Sequence, residues 1–241
     1  MFDIEIKRSG SPVAQLILGH GAGAGKEHEF MQTMSALLVE RNIDVVLFNF
    51  PYMQTIKETG KRRPPDKADI LLQHFHDVVM HIEASSVKTS CVETSCVETS
   101  TLKQIDGEYK HASLPIFIGG KSMGGRMASM IIEDMPSVKG AIAFGYPFHP
   151  PGKPEKTRTD HLQTVNKPLL IVQGERDTFG TKSEVAEYAL CPSIEISFLA
   201  DGDHSFKPRK ASGFTQEAHI KAAVDKAYDF IIKTVKGHVD D

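Results

Sequence analysis

Ile116-Phe117-Ile118-Gly119-Gly120-Lys121-Ser122-Met123-Gly124-Gly125-Arg126-Met127-Ala128-Ser129-Met130-Ile131-Ile132 decides how the rest of the chain is read. The apolar run Ile116-Phe117-Ile118 precedes a G-x-S-x-G pattern, Gly120 to Gly124, and a helix-forming run from Arg126 to Ile132 follows it. A sharp strand–turn–helix corner of this kind lifts a serine hydroxyl clear of a sheet on strained backbone angles. Glycines on either side let strand and helix approach without a side-chain clash. The start of the helix also turns its dipole toward any anion that forms there. A five-residue pattern with three fixed positions recurs by chance, so its placement and its partners carry the argument.

A serine hydroxyl is a poor nucleophile until a base takes its proton, and the base must be held in one tautomer by an acid. Partners in this architecture follow in the order Ser, Asp or Glu, His, each in a loop after a later strand. After Leu169-Leu170-Ile171-Val172 comes Gln173-Gly174-Glu175-Arg176-Asp177. After Ile196-Ser197-Phe198-Leu199 comes Ala200-Asp201-Gly202-Asp203-His204-Ser205-Phe206. Ser122 is therefore the candidate nucleophile, His204 the base and Asp177 the acid that orients it. Glu175, Asp201 and Asp203 are rivals for the acid, and His149 and His161 are rivals for the base. Asp177 leads because it lies deepest into the loop after its own strand.

The tetrahedral intermediate of acyl transfer needs two N–H donors, one from the residue after the nucleophile and one from a loop after an early strand. Met123 supplies the first. The second falls in Gly19-His20-Gly21-Ala22-Gly23-Ala24-Gly25, directly after Leu16-Ile17-Leu18, with Ala22 as the chosen donor. A phosphate-cradling loop is the competing reading of this turn. Lys26 follows Gly25, yet Glu27 stands where a P-loop has Ser or Thr.

Working outward, short apolar runs alternate with stretches of helical periodicity, which predicts an α/β fold: a mostly parallel central sheet with helices on both faces. The six core strands contain Leu16–Leu18, Val45–Phe48, Ile116–Ile118, Ala141–Phe144, Leu169–Val172 and Ile196–Leu199. Met1 to Lys7 alternates apolar and charged residues like a half-exposed strand. A helix is expected over about Asp66 to Ala84, with Asp66 as N-cap, and a final one over about Thr215 to Val235. Residues 89–98 hold two identical copies of Thr-Ser-Cys-Val-Glu, too few units for a stacked repeat, and read as an expansion within a low-complexity surface loop at about 85–111.

The 241 residues, 40% of them apolar, suffice for one core, and one domain over residues 1–241 is the expectation. A net charge of -3 gives no support for nucleic-acid binding. No stretch approaches the roughly 18 uninterrupted apolar residues of a spanning helix, and the N-terminus lacks a signal-peptide layout, so no membrane partner and a cytoplasmic location are expected. Cys91, Cys96 and Cys191 form no ligand spacing with histidine; no metal and no other cofactor is implied.

Through the His20-Gly21 turn, the Gly120–Gly125 corner, Asp177 and Gly202-Asp203-His204, the chain resembles the α/β-hydrolase superfamily over nearly its whole length. Asn49-Phe50-Pro51-Tyr52-Met53 followed by Arg62-Arg63-Pro64-Pro65-Asp66 is similar to a small dienelactone-hydrolase-like group, whose eukaryotic relatives include testis-expressed and histone-acetyltransferase-complex subunits. The resemblance implies the α/β-hydrolase fold and a compact hydrolase core of unassigned substrate. The expansion at 89–100 departs from that pattern and touches no candidate site residue.

Gly145 to about Lys167 is too short for a helical lid, so no large lid domain and a shallow, open cleft for a small-molecule substrate are expected. A short helix falls around Asp160-His161-Leu162. Lys121, Arg62, Arg63, Arg126 and Arg158 are basic residues in segments that could approach the cleft. An arginine there could hold a substrate carboxylate, or the group could simply be solvated and braced; Tyr52 is a further pocket-lining candidate. Three function classes stay open: an esterase, lactonase or thioesterase; a small-peptide peptidase; and a scaffold that keeps the fold without efficient catalysis. The sequence leaves the oligomeric state open.

Overall fold

The computed structural model describes residues 2–93 and 114–237. Five strands form the interior of one sheet: β2 (Ala14–Gly19), β3 (Ile43–Phe48), β4 (Ile116–Lys121), β5 (Val138–Phe144) and β6 (Leu169–Gly174). Every residue of β2, β3 and β6 is buried, as expected of parallel strands covered on both faces. The edges are β1 (Ile4–Lys7), antiparallel to β3, and β7 (Ile194–Leu199), parallel to β6. The seven strands run in the order β1-β3-β2-β4-β5-β6-β7, so all six expected core runs and the N-terminal strand lie in a single sheet.

Among the described residues six α-helices flank them: α1 (Glu29–Val39), α2 (Pro51–Thr59), α3 (Ala68–Glu93), α4 (Met123–Ile131), the single turn α5 (Lys182–Val185) and α6 (Gln216–Gly237). The period-2 alternation of the strands divides the core. Leu16, Leu18, Val45 and Leu47 meet Met34 and Leu38 of α1 and Ala223, Ala227 and Ile231 of α6. Ile17, Val46, Phe48 and Ile118 meet Phe75, Val78, Val79 and Ile82 of α3 and Met127 and Ile131 of α4.

Two local expectations are corrected. The helix expected from Asp66 starts at Ala68, and Asp66 instead accepts a hydrogen bond from Arg63 Nη2 (3.1 Å) in the preceding stretch. It continues past Ala84 through Glu93, so the backbone of the first copy of the repeat, Thr89–Glu93, is helical, while the second copy lies outside the described residues. Part of the stretch quoted for its resemblance, Pro51–Met53, is helical: Pro51 opens α2, where its missing N–H costs nothing, and Gly60 ends it at φ 69°. The segment from Gly145 to Lys167 holds only a 3-10 turn, Asp160–Gln163, so no helical lid covers the sheet there.

Because β3 and β4 leave β2 on opposite sides, the C-terminal ends of β2 and β4 bound a topological switch point, where a crevice opens between the diverging connections. At that point three backbones converge. A Cβ on Gly124 would lie 2.2 Å from the Gly19 carbonyl oxygen, and one on Gly120 would meet the same atom at 2.2 Å. Since the obstacle is backbone, Gly124→Ala should lower stability by about 3 kcal/mol, the upper end of overpacking. Gly10, with nothing within 4 Å of its Cβ position, should tolerate alanine within about 0.5 kcal/mol. Urea unfolding of both variants checks the contrast.

Candidate active site

Ser122 joins β4 to α4 at φ 51° and ψ -111°, a conformation that side chains rarely adopt. Two hydrogen bonds hold it there: its N–H donates to the Phe144 carbonyl (3.0 Å), and its carbonyl accepts from the Arg126 N–H (3.0 Å). The hydroxyl Oγ lies 2.9 Å from His204 Nε2, and His204 Nδ1 lies 2.8 Å from Asp177 Oδ2. With the carboxylate accepting from Nδ1–H, Nε2 is left to accept the serine proton.

Asp177 is fully buried. Its Oδ1 accepts from the Phe179 N–H (2.9 Å), and its Oδ2 lies 2.9 Å from Gln173 Nε2 as well as facing the imidazole. The rival acids build the loops. Asp203 Oδ1 accepts from the Ser205 and Lys207 N–H groups (2.8 and 2.9 Å), Asp201 pairs with Arg209 and Arg176, and Glu175 accepts from the Asp201 N–H and Lys182. The rival bases sit elsewhere, His161 against Ser129 Oγ (2.9 Å) and His149 beside Glu184 (3.5 Å).

Burial pushes the His204 imidazole below its ordinary value, against the pull of its hydrogen bond to Asp177, and the nearby Lys121 ammonium pushes the same way. Lys121 lies beneath the histidine loop, donating from Nζ to the His204 carbonyl (2.7 Å); burial brings it down to about 8. Phe179 covers the imidazole with ring centroids 4.2 Å apart.

The turn after β2 is fixed from behind. Fully buried His20 donates from Nδ1 to the Gly21 carbonyl (2.7 Å) and accepts at Nε2 from the Phe50 N–H (3.0 Å), and burial holds it neutral with a pKa of about 4. The Tyr52 hydroxyl reaches the carbonyls of Gly21 (3.2 Å) and Ala22 (3.0 Å). In a trans peptide N–H and C=O point oppositely, so a Gly21 carbonyl turned toward Tyr52 turns the Ala22 N–H away from it. Ala22 and Ser122 both line a cleft of about 480 Å³, together with Phe30, Met31, Phe179 and His204. Met123 opens α4, where the first N–H groups have no intrahelical acceptor.

A family model described as the alpha/beta hydrolase domain matches residues 12–232. The chain belongs to the α/β-hydrolase family. Solved structures share the fold at low identity. A dienelactone hydrolase from Anabaena variabilis aligns with TM-score 0.63 and 15% identity over 95% of this chain and 90% of that one. An alpha-beta serine hydrolase homologue from Coxiella burnetii gives 0.61 and 16% over 95% and 89%. A lidless α/β serine hydrolase from Xanthomonas campestris gives 0.61 and 14% over 98% and 88%.

Placed in this α/β-hydrolase fold, the basic and aromatic candidates separate. Tyr52 is 1% exposed and holds the turn from behind, so its expected place in the pocket lining is corrected: the hydroxyl is occupied by two carbonyls. Arg62 is exposed in the stretch before α3 and does not line the cleft. Lys121 does line it, but its ammonium is held by the His204 carbonyl. Arg158 lies off the cleft, beside Tyr146, whose hydroxyl donates to its carbonyl (3.0 Å). Sequence reasoning missed Gln173, Phe179 and the role of His20. Gln173 follows an apolar strand like any loop residue, and only its full burial reveals that it braces Asp177. Replacing Lys121 by Met removes a positive charge that disfavours the imidazolium. An NMR titration of His204 should therefore move to higher pH in that variant; an unmoved midpoint would show that the lysine charge is not felt.

Proposed function

We propose that this protein is a serine hydrolase of small carboxylic esters, lactones or thioesters. Ser122 attacks the carbonyl carbon while His204 Nε2 takes the hydroxyl proton, and Asp177 stabilises the imidazolium that results. The N–H groups of Met123 and Ala22 receive the oxyanion, the tetrahedral species collapses to an acyl-enzyme as His204 protonates the leaving group, and water repeats the sequence to release the acid. The observation that carries this reading is the unbroken chain from Ser122 Oγ through His204 to buried Asp177, at 2.9 and 2.8 Å, on a backbone strained at the serine. A small substrate suits the cleft of about 480 Å³.

A fluorophosphonate probe tests it directly. The adduct is expected on Ser122 by mass spectrometry and should vanish in His204→Ala; folded protein that stays unlabelled would overturn the assignment. Ser122→Ala should abolish ester turnover while leaving the urea midpoint nearly unchanged or raised, since alanine removes no packed group.

The base works only when unprotonated, so turnover should rise with pH through the titration of His204. With that group pushed below 6.5, the acid limb of kcat/KM is expected to have its midpoint under 6.5. Tyr52→Phe frees the two carbonyls of the turn and should lower kcat by about tenfold, the worth of one hydrogen bond, with KM little changed.

A further inference from the structure

The turn that carries Ala22 is exposed and has little to hold it in its middle. Among the described residues no backbone–backbone hydrogen bond is made by Ala22, Gly23 or Ala24, and a Cβ on Gly23 would meet nothing within 4 Å. Its conformation is therefore set at its two ends. His20 and Tyr52 hold the near end. The far end, Gly25-Lys26-Glu27, packs against Asn49, which follows β3 and is fully buried. Asn49 Oδ1 accepts from the Lys26 N–H (2.8 Å), and a Cβ on Gly25 would lie 2.6 Å from that oxygen.

Asn49 is itself the centre of a charged ring. Its Nδ2 donates to Asp3 Oδ2 (3.0 Å) and to both oxygens of Glu27 (3.2 and 3.1 Å). Lys26 is only 6% exposed, yet its Nζ reaches Asp3 Oδ1 (2.9 Å) and Glu27 Oε1 (3.1 Å). Exposed Lys57 bridges the same two acids at 3.2 and 2.7 Å. Two carboxylates and two ammonium groups thus surround one amide with no net charge. Partial burial raises Glu27, but hydrogen bonds from Lys57, Asn49 and Lys26 bring it down to about 2, and the same three groups hold Asp3 below its ordinary value against burial. Both acids stay ionised where His204 titrates. Lys26, the residue that invites comparison with a P-loop, is committed to them and not to a phosphate.

We propose that Asn49 and Lys26 are positioning residues for the oxyanion turn: with Asp3, Glu27 and Lys57 they fix its far end, so that the Ala22 N–H is aimed at the Ser122 corner before substrate arrives. The effect on rate rests on the serine-hydrolase reading; the hold on the turn does not. The turn lies close enough to the serine for its placement to matter, since a Cβ on Gly21 would lie 3.7 Å from Ser122 Cβ and Ala22 shares the cleft with Ser122. A donor fixed in advance stabilises the oxyanion without rearranging during the reaction. A buried ion cluster often adds no stability over apolar side chains of the same volume, and what it adds here is a single geometry for the turn. Asp3 brings the segment before β1 into that arrangement, and its carbonyl also accepts from the Asn49 N–H (3.1 Å).

Kinetics and dynamics test the two claims separately. With active serines counted by fluorophosphonate labelling, Lys26→Met and Asn49→Ala should lower kcat for 4-nitrophenyl acetate about tenfold, the scale of one hydrogen bond, with KM little changed. Lys26→Arg, which keeps the ion pairs, should recover most of that loss, and exposed Lys233→Met, on the far helix α6, should cause none. A trifluoromethyl ketone, whose adduct on Ser122 places an oxyanion between the two N–H groups, should bind Lys26→Met more weakly by the same factor as kcat/KM falls. A smaller folded fraction does not produce that change. Independently of turnover, amide relaxation should show Ala22 to Ala24 more mobile in Lys26→Met than in the unaltered protein. Unmoved kcat and ketone affinity, a loss confined to KM, or unchanged mobility of the turn overturns the positioning role. Greater mobility in Lys26→Met, where the unaltered protein neither turns over the ester nor binds the ketone, would instead overturn the hydrolase reading and leave the hold on the turn standing.

Discussion

The close approach of three backbones at the crevice is the constraint on which the rest depends. β2, β4 and α4 meet where Gly120 and Gly124 press against the Gly19 carbonyl, with no room for a methyl group between them. That contact pins the start of α4 to the end of the sheet, which forces Ser122 into its strained turn and fixes the direction of its hydroxyl. The histidine and aspartate loops then have a stationary target. Each is stabilised by its own acid, Asp203 folding the first and Glu175 tying the second to it, while Asp177 faces the imidazole, held in place by Gln173 and the Phe179 N–H.

Most of this architecture was legible in the sequence because it is written in local patterns. Continuous apolar runs mark covered parallel strands, and the order Ser122, Asp177, His204 follows from which strand each loop succeeds. Helix boundaries were less legible: a Pro-Pro-Asp start signal suggested Asp66 as a cap, but Arg63 takes its side chain and the helix opens at Ala68. The supporting residues were hardly legible at all. His20, Tyr52 and Gln173 act through contacts between segments 27 to 31 positions apart or beside a buried strand end, and no periodicity encodes such contacts. Tyr52 shows the failure most clearly, since a tyrosine near a pocket by sequence turned out to be a brace with its hydroxyl already occupied.

Charge around Ser122 is arranged to keep histidines neutral. His20 and His161 are held far down by burial, and His204 less so because Asp177 pulls against it. Positive charge is supplied instead by Lys121, below the histidine loop. A site of this kind leaves its base in the proton-accepting form beside one positive charge.

The position of the repeat has an evolutionary consequence. α3 carries the first copy, and the chain returns to the sheet at Ile116, the N-terminal end of β4, whereas Ser122 follows the other end of that strand, about 17 Å away. A duplication there changes the number of residues between α3 and β4 and adds none between Ile116 and His204. Replication slippage can therefore accumulate in this segment almost invisibly to selection on the chemistry, which makes its length a poor guide to divergence in function between related chains.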